Sequence, residues 1–472
     1  MLIFFAFAMW GSRRSGIFLH RRTKKAMNQH EKFTKITTQP VGRLVCEFAV
    51  PSMVCMLVSA FYNIVDTYFV GRIDTQSTAA LGIVFSYMAI IQAVSFFFGH
   101  GSGNFISRAL GAQKSEQAET MAATGFFTAV ALTTLIAVGG FLLMEPVLTL
   151  FGSTPTIMPR AKEYFVWILT GTPFISGVFV MNNQMRLQGN ASMSMIGVMI
   201  GAALNIALDP LFIFTLDMGI AGAGMATALS QMVSFAIMLK MIGLRGGICL
   251  RLRNFKPSAE RYAEIFAGGS PSLVRQCLMA VVSICLNNYA SRYGDSAVAA
   301  FSVVGRIMMF ATAALLGFGQ GFQPVCGFNY GAGLFPRVSR AFRFSVAVST
   351  AYCTAVAVGG ILFAETIVSL FSAADSEVIR LGALVLKFHC YSYGLNGFIV
   401  LTNMYLQNTR KTAAALLVAT ARQGLFFLPL LVVGAHFFDM TGIIAAQPLS
   451  DVLTFVLAVI INLHSHKKAD KR

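Results

Sequence analysis

Charge is scarce in this sequence. Of its 472 residues, 12% are Asp, Glu, Lys or Arg, about half the share usual in soluble domains. With 56% hydrophobic residues, almost nothing remains from which to build a soluble domain. Other absences narrow the chemistry. The run Gly99-His100-Gly101-Ser102-Gly103 follows no strand pattern and leads to no Gly-Lys-Ser/Thr, so it reads as a close helix contact and not a phosphate loop. No HExxH, nucleophile elbow or heme motif occurs, which leaves ATP hydrolysis and covalent catalysis without a basis. The eight cysteines form no CxxC pair, and several (Cys55, Cys277, Cys285, Cys353) stand within apolar runs. They read as small hydrophobes, not as disulfides or metal ligands. No enzyme activity and no cofactor are expected.

What the chain does have is apolar runs, each long enough to cross a bilayer core of roughly 30 Å. Read between charged or Gly/Pro-marked breaks, they predict helices at 44–70, 78–105, 120–145, 161–183, 192–216 and 219–243. Six more follow at 263–291, 297–325, 342–364, 381–405, 412–437 and 441–463. The expected fold is an all-α integral membrane protein of twelve transmembrane helices. Its parts are an N-terminal segment (1–43), an N-lobe (44–243), a basic connector (244–262), a C-lobe (263–463) and a tail (464–472). Leu2 to Trp10 is too short to span, and its charges follow it where a signal peptide's would precede. A start at Met27 would leave the rest intact, so the first 26 residues are expected to have little structural consequence.

The formal net charge of +17 would suggest nucleic acid in a soluble protein. Here the bases sit in short loops between spans, so no nucleic-acid partner is expected. One set of segments carries Arg108/Lys114, Arg186, the 245–261 connector, Arg337/Arg340/Arg343, Arg410/Lys411 and Lys467 to Arg472. The alternate set carries Asp74, Glu145, Asp217, Asp295, Asp375/Glu377 and Asp439. By the positive-inside rule both termini are cytoplasmic in a multi-pass protein of the cell membrane. Lipids surround it, and a monomer is expected.

A shift of 220 residues aligns the halves. Pro51-Ser52 falls on Pro271-Ser272, Gly99 and Gly101 on Gly319 and Gly321, Gly111-Ala112 on Gly331-Ala332, and Leu150-Phe151 on Leu370-Phe371. Six spans per unit give both units one orientation, so these are parallel repeats: two pseudo-symmetric six-helix bundles about an axis along the membrane normal. That is a transporter architecture, with substrate near the interface of the halves.

Two acids lie well inside spans of the first half, where charge is costly and usually functional. Asp66 stands about five residues before the Gly71-Arg72 break, and Asp209 about eight before Asp217-Met218-Gly219, which puts both at similar depth at a rise of about 1.5 Å per residue. Asn205 shares a helix face with Asp209, and Tyr62 and Asn63 share one with Asp66. Thr227 lies at the same depth on the sixth span, and Tyr164 begins the fourth on the acidic side. Together these oxygens suit Na⁺, or a proton on a desolvated carboxylate. The plainer alternative is that each acid hydrogen-bonds a neighbouring helix, and Thr227 and Tyr164 taken alone read as packing residues. In the second half Leu286 stands opposite Asp66, and Leu428-Pro429 near the counterpart of Asp209. A cation site therefore belongs to the first half. Arg275, Arg306, Lys387 and Arg422 in the second half read as snorkelling bases.

The segments Pro51-Ser52, Tyr62 to Gly71, Asn205 to Pro210 and Gly222 to Ala228 resemble the multidrug and toxic compound extrusion (MATE) transporters, in a MepA-like branch, over about residues 40 to 463. The resemblance implies two six-helix bundles in a V that opens to one side at a time. It implies export of cationic or amphipathic drugs, coupled to re-entry of Na⁺ or H⁺. It assigns the cation to Asp66, Asn205, Asp209 and Thr227 (the metal ligands if the ion is Na⁺), with Tyr164 beside them. A lipid-linked oligosaccharide flippase of the same broad superfamily is the alternative, kept open by Arg275, Arg306 and Arg422. A membrane-embedded enzyme or a receptor would need a nucleophile–base set or a soluble sensing segment, and neither stands out.

Overall fold

The computed structural model describes residues 29–244, 248–371 and 376–469. The segment before Met27 and the charges at Arg245, Asp375 and Arg472 lie outside the described residues. Every regular element among the described residues is a helix. The N-lobe comprises α1 (Gln29–Thr38), α2 (Val41–Val70), α3 (Thr75–Gly111), α4 (Ser115–Leu142), α5 (Met144–Leu150), α6 (Met158–Leu187), α7 (Ala191–Pro210) and α8 (Gly219–Leu244). The C-lobe comprises α9 (Ala259–Ala290), α10 (Asp295–Gly331), α11 (Phe335–Leu362), α12 (Ala364–Ser369), α13 (Ser376–Asn408), α14 (Thr412–Thr420), α15 (Phe427–Phe437) and α16 (Asp439–Ala469). A π-helical turn, Leu211–Thr215, extends α7, and another, Ala421–Leu425, joins α14 to α15.

Counting each π-extended unit once and setting aside the short α1, α5 and α12, twelve long helices remain among the described residues. Eleven are long and apolar enough to cross a membrane. The twelfth, α13, has 33 residues but carries buried Ser392, Asn396, Thr402, Asn403, Gln407 and Asn408. Its polar face is turned inward against α11, α10 and α16, where its side chains find partners and not lipid.

The repeat extends to element ends. Thr75–Gly111 and Asp295–Gly331 are separated by the same shift of 220, as are Ser115–Leu142 and Phe335–Leu362. The turns after α3 and α10 both use a left-handed residue, Gln113 (φ 58°) and Gly333 (φ 74°), as do those after α6 and α13, Gly189 (φ 78°) and Arg410 (φ 59°).

The lobes grip each other through crossed pairs, α2 on α10 and α9 on α3. Glycines allow backbones to touch there. A Cβ on Gly111 would lie 2.1 Å from the Phe328 carbonyl, and one on Gly331 would lie 2.0 Å from the Arg108 carbonyl. Residues 108 and 328 are themselves related by the shift of 220, so the pseudo-two-fold axis runs between these contacts. Gly101 against Ile265, Gly269 against Phe97 and Gly321 against Ala49 continue the seam. All lie toward the basic-loop ends of the helices. Toward the acidic ends, α2, α3, α9 and α10 expose Phe61, Tyr68, Phe85, Met279, Ile284 and Met309. The bundles are joined at the basic end and part toward the acidic end.

Two bases expected in loops instead serve this seam. Arg108 is buried and donates to Glu264 (3.0 Å) and to the Asn408 carbonyl (3.3 Å), and Glu264 also pairs with Arg410. Arg186 is 1% exposed; α6 continues four residues past 183, which carries its side chain between the lobes to Gln323 Oε1 (2.7 Å) and the Gln320 carbonyl (3.1 Å). α1 straps the same end. Ser115 donates to Gln29, while Arg337 donates to the carbonyls of Ile36 and Gln39.

Candidate cation site

Asp209 stands at the end of α7, just before the π turn. Pro210 has no N–H to give, and one wider turn follows before the chain leaves α7. Asp209 is fully buried. Its Oδ1 accepts from Asn205 Nδ2 at 3.2 Å, and the same amide lies 3.4 Å from Thr227 Oγ1 on α8. Tyr164 on α6 is 1% exposed and packs against α8, where a Cβ on Gly224 would lie 3.2 Å from its ring. Asp66 on α2 is close enough for its charge to act on Asp209, Tyr164 and Tyr62. Six of the seven residues singled out in the sequence thus converge in one bundle. The seventh, Asn63, spends its amide on its own helix, donating to the Ser59 carbonyl at 2.8 Å.

The cluster is short of donors. Asp66 Oδ1, Asp209 Oδ2 and Asn205 Oδ1 are buried, and none has a hydrogen-bond partner among the described residues. Buried acceptors are almost always satisfied, and an unmatched carboxylate in a low-dielectric bundle is costly. Such oxygens are complemented by a water, a proton or a hard cation. Among the described residues no group of three or more His, Cys, Asp and Glu side chains could hold a metal, so the donor set is an oxygen set of acids, amide and hydroxyl.

The acids at matching helix ends are interfacial. Glu145 pairs with Lys162, which holds its carboxyl below the usual range, and Glu365 lies 3.9 Å from Lys387. Glu47 pairs with Lys35.

The C-lobe holds a polar cluster that the comparison at Asp66 and Asp209 passes over. Asp451 on α16 is 1% exposed. Arg422, in the π turn, does not snorkel: its Nε donates to Asp451 Oδ1 at 2.8 Å, and Gln447 donates to the same oxygen at 3.0 Å. Ser392 (2.9 Å) and Asn396 (3.2 Å) donate to Oδ2. Gln447 is the counterpart of Thr227 under the shift of 220, so this carboxylate sits one turn further along the equivalent helix. Both of its oxygens are satisfied, and its counter-cation belongs to the chain.

The MatE family profile matches residues 51–211 and 271–433, two segments in the register of the repeat. The chain is similar to the multidrug export protein MepA of Staphylococcus aureus (strain MSSA476), with 27% identity over 427 residues, 89% of this chain and 93% of that protein. MepA of Staphylococcus haemolyticus (strain JCSC1435) is 27% identical over 438 residues, 91% of this chain and 96% of that one. The fold is shared with the crystal structure of MATE in complex with MaL6, at a TM-score of 0.88 and 24% identity over 93% of this chain and 100% of that one. With the two matched segments covering more than half of its length, the chain belongs to the MatE family of multi-pass membrane transporters.

Proposed function

We propose that this transporter is a secondary antiporter that exports cationic or amphipathic drugs in exchange for Na⁺ or H⁺. The observation that carries the coupling is the set of unpartnered buried oxygens on Asp66, Asp209 and Asn205. The names of the MepA relatives carry the drug substrates. In this reading 44–243 and 263–463 are the lobes, 244–262 links them, the basic loops and both termini face the cytoplasm, and one chain suffices. The conformation described here is then the outward-open one. The opposite state requires the Gly111–Gly331 seam and the Arg108–Glu264–Arg410 cluster to part. Loading the oxygens of Asp66 and Asp209 favours one state and drug binding the other, since coupling requires different preferences. Asn205, Thr227 and Tyr164 hold the pocket in shape and supply neutral donors or ligands.

Efflux of a fluorescent cation from vesicles with imposed Na⁺ or pH gradients tests the proposal. The double variant Asp66→Asn, Asp209→Asn is expected to abolish gradient-driven export. Export at the unmodified rate would sink the assignment.

A further inference from the structure

Three guanidiniums lie along the boundary between the lobes, and only one of them has a carboxylate partner among the described residues. Arg422 is tied to Asp451 at 2.8 Å, and both Asp451 oxygens are taken up by further donors. Arg186 rests on neutral groups, the oxygens of Gln323 (2.7 Å), Gln320 (3.1 Å) and Asn183 (2.6 Å) and the His100 ring at 3.5 Å. Among the described residues, neither Arg186 nor Arg275 has a carboxylate within 4.0 Å.

Arg275 stands at the floor of the opening. Its neighbour Gln276 meets Gln92 of the other lobe at 3.4 Å. On α9 the run Gly268 to Ser272 is buried, Cys277 is exposed, and Arg275 between them is half-buried. Leu278, one turn on, packs 3.0 Å from where a Cβ on Gly424 would lie, two residues past Arg422. The seam between α9 and the π turn therefore holds both arginines. Their charges oppose each other, and Arg422 keeps 25% of its side chain exposed.

Desolvated cations in excess of anions are unfavourable until an anion joins them. A guanidinium presents a planar fork that fits a carboxylate or phosphate. We propose that Arg275, with Arg422 beside it, recognises the carboxylate or phosphate of an amphipathic ligand on the floor of the opening. This rests on the export reading for the ligand's fate but not for its binding. A lipid phosphate shares the chemistry.

The test uses the full chain in phosphatidylcholine nanodiscs and two probes, a rhodamine with a free carboxylate and its methyl ester. The ratio of the two Kd values is read by fluorescence anisotropy. Arg275→Gln is expected to move the ratio about tenfold against the free acid, and Arg275→Lys to restore most of it. A second arm adds phosphatidylglycerol. Weaker binding of the free acid in the wild type but not in Arg275→Gln supports the site and identifies lipid phosphate as an occupant. A ratio unmoved by Arg275→Gln, or an absence of both dye binding and any lipid effect that depends on Arg275, overturns the proposal. Export of the ester from vesicles with an unmoved ratio leaves the exporter reading standing without this site. An Arg275-dependent ratio with neither dye exported leaves the site standing without that reading.

Discussion

Gly111→Ala is expected to drive the lobes apart at their basic end. The added Cβ would lie 2.1 Å from a backbone carbonyl, where Cβ contacts under 3.0 Å essentially never occur. The obstacle is the Phe328 carbonyl within α10, so no rotamer change relieves it. The helices must separate by about 1 Å, which breaks the matching contact at Gly331. Overpacking of this kind costs about 1–3 kcal/mol. In the proposed cycle the seam exists in only one of the two states, so the cost falls on that state. At about 1.4 kcal/mol per tenfold change, the equilibrium should move by one to two orders of magnitude toward the state open at the basic end. Spin labels at exposed Gln117 and Arg340, in a background with the native cysteines replaced, would report this as a longer inter-lobe distance. Gly139→Ala is the control, because nothing lies within 4 Å of its Cβ position. A lower melting temperature with an unchanged distance distribution would refute the reasoning, since the seam would then be equally tight in both states.

Two further predictions concern single groups. Asp451→Asn leaves the half-buried Arg422 without its counter-ion and is expected to cost about 2–3 kcal/mol, less than for a fully buried pair, whereas Arg422→Leu with Asp451→Leu should recover most of it; melting in detergent compares the two, and a double variant no better than the single would refute the pairing argument. Asp74 caps α3 by accepting from the Ser77 amide, and that bond, with Arg160 3.5 Å away, holds its carboxyl below the usual range. Its contribution is therefore present above the ordinary aspartate pKa and is lost as pH falls through the lowered folded value, so Asp74→Ala, costing about 1 kcal/mol near neutrality, should flatten the acid limb of a stability profile.

The spans and the repeat are legible in the sequence because bilayer thickness dictates run length and duplication preserves register. The shift of 220 read from Pro51-Ser52 and Gly111-Ala112 reappears in helix ends and in left-handed turns. The N-lobe acids are legible because charge in an apolar run is rare. The same signal marks Asp451, but Asp451 has no counterpart at Asp66 or Asp209, so a comparison confined to those two positions misses it. Arg422 reads as snorkelling as long as its partner, one span later, goes unnoticed. Arg186 reads as a loop charge because the apolar run fades near residue 183, while the helix continues on polar contacts to the other lobe. Hydropathy sees lipid-facing surface; it is blind to polar side chains that satisfy one another between helices, which is also why α13 alone of the twelve lacks a stretch apolar enough to mark it as a span.

The pairing of Arg422 with Asp451 has a consequence for a cell that maintains a voltage. A guanidinium fixed to the chain cannot depart with an ion's freedom, so in the proposed cycle the C-lobe pair carries no charge across the bilayer. The electrical work then depends on how many ions Asp66 and Asp209 carry between them. One monovalent ion entering for one monovalent drug leaving makes the exchange indifferent to membrane potential. Two ions make each turnover draw about 2.3 kcal/mol per 100 mV, and a potassium-diffusion clamp on vesicles would count them.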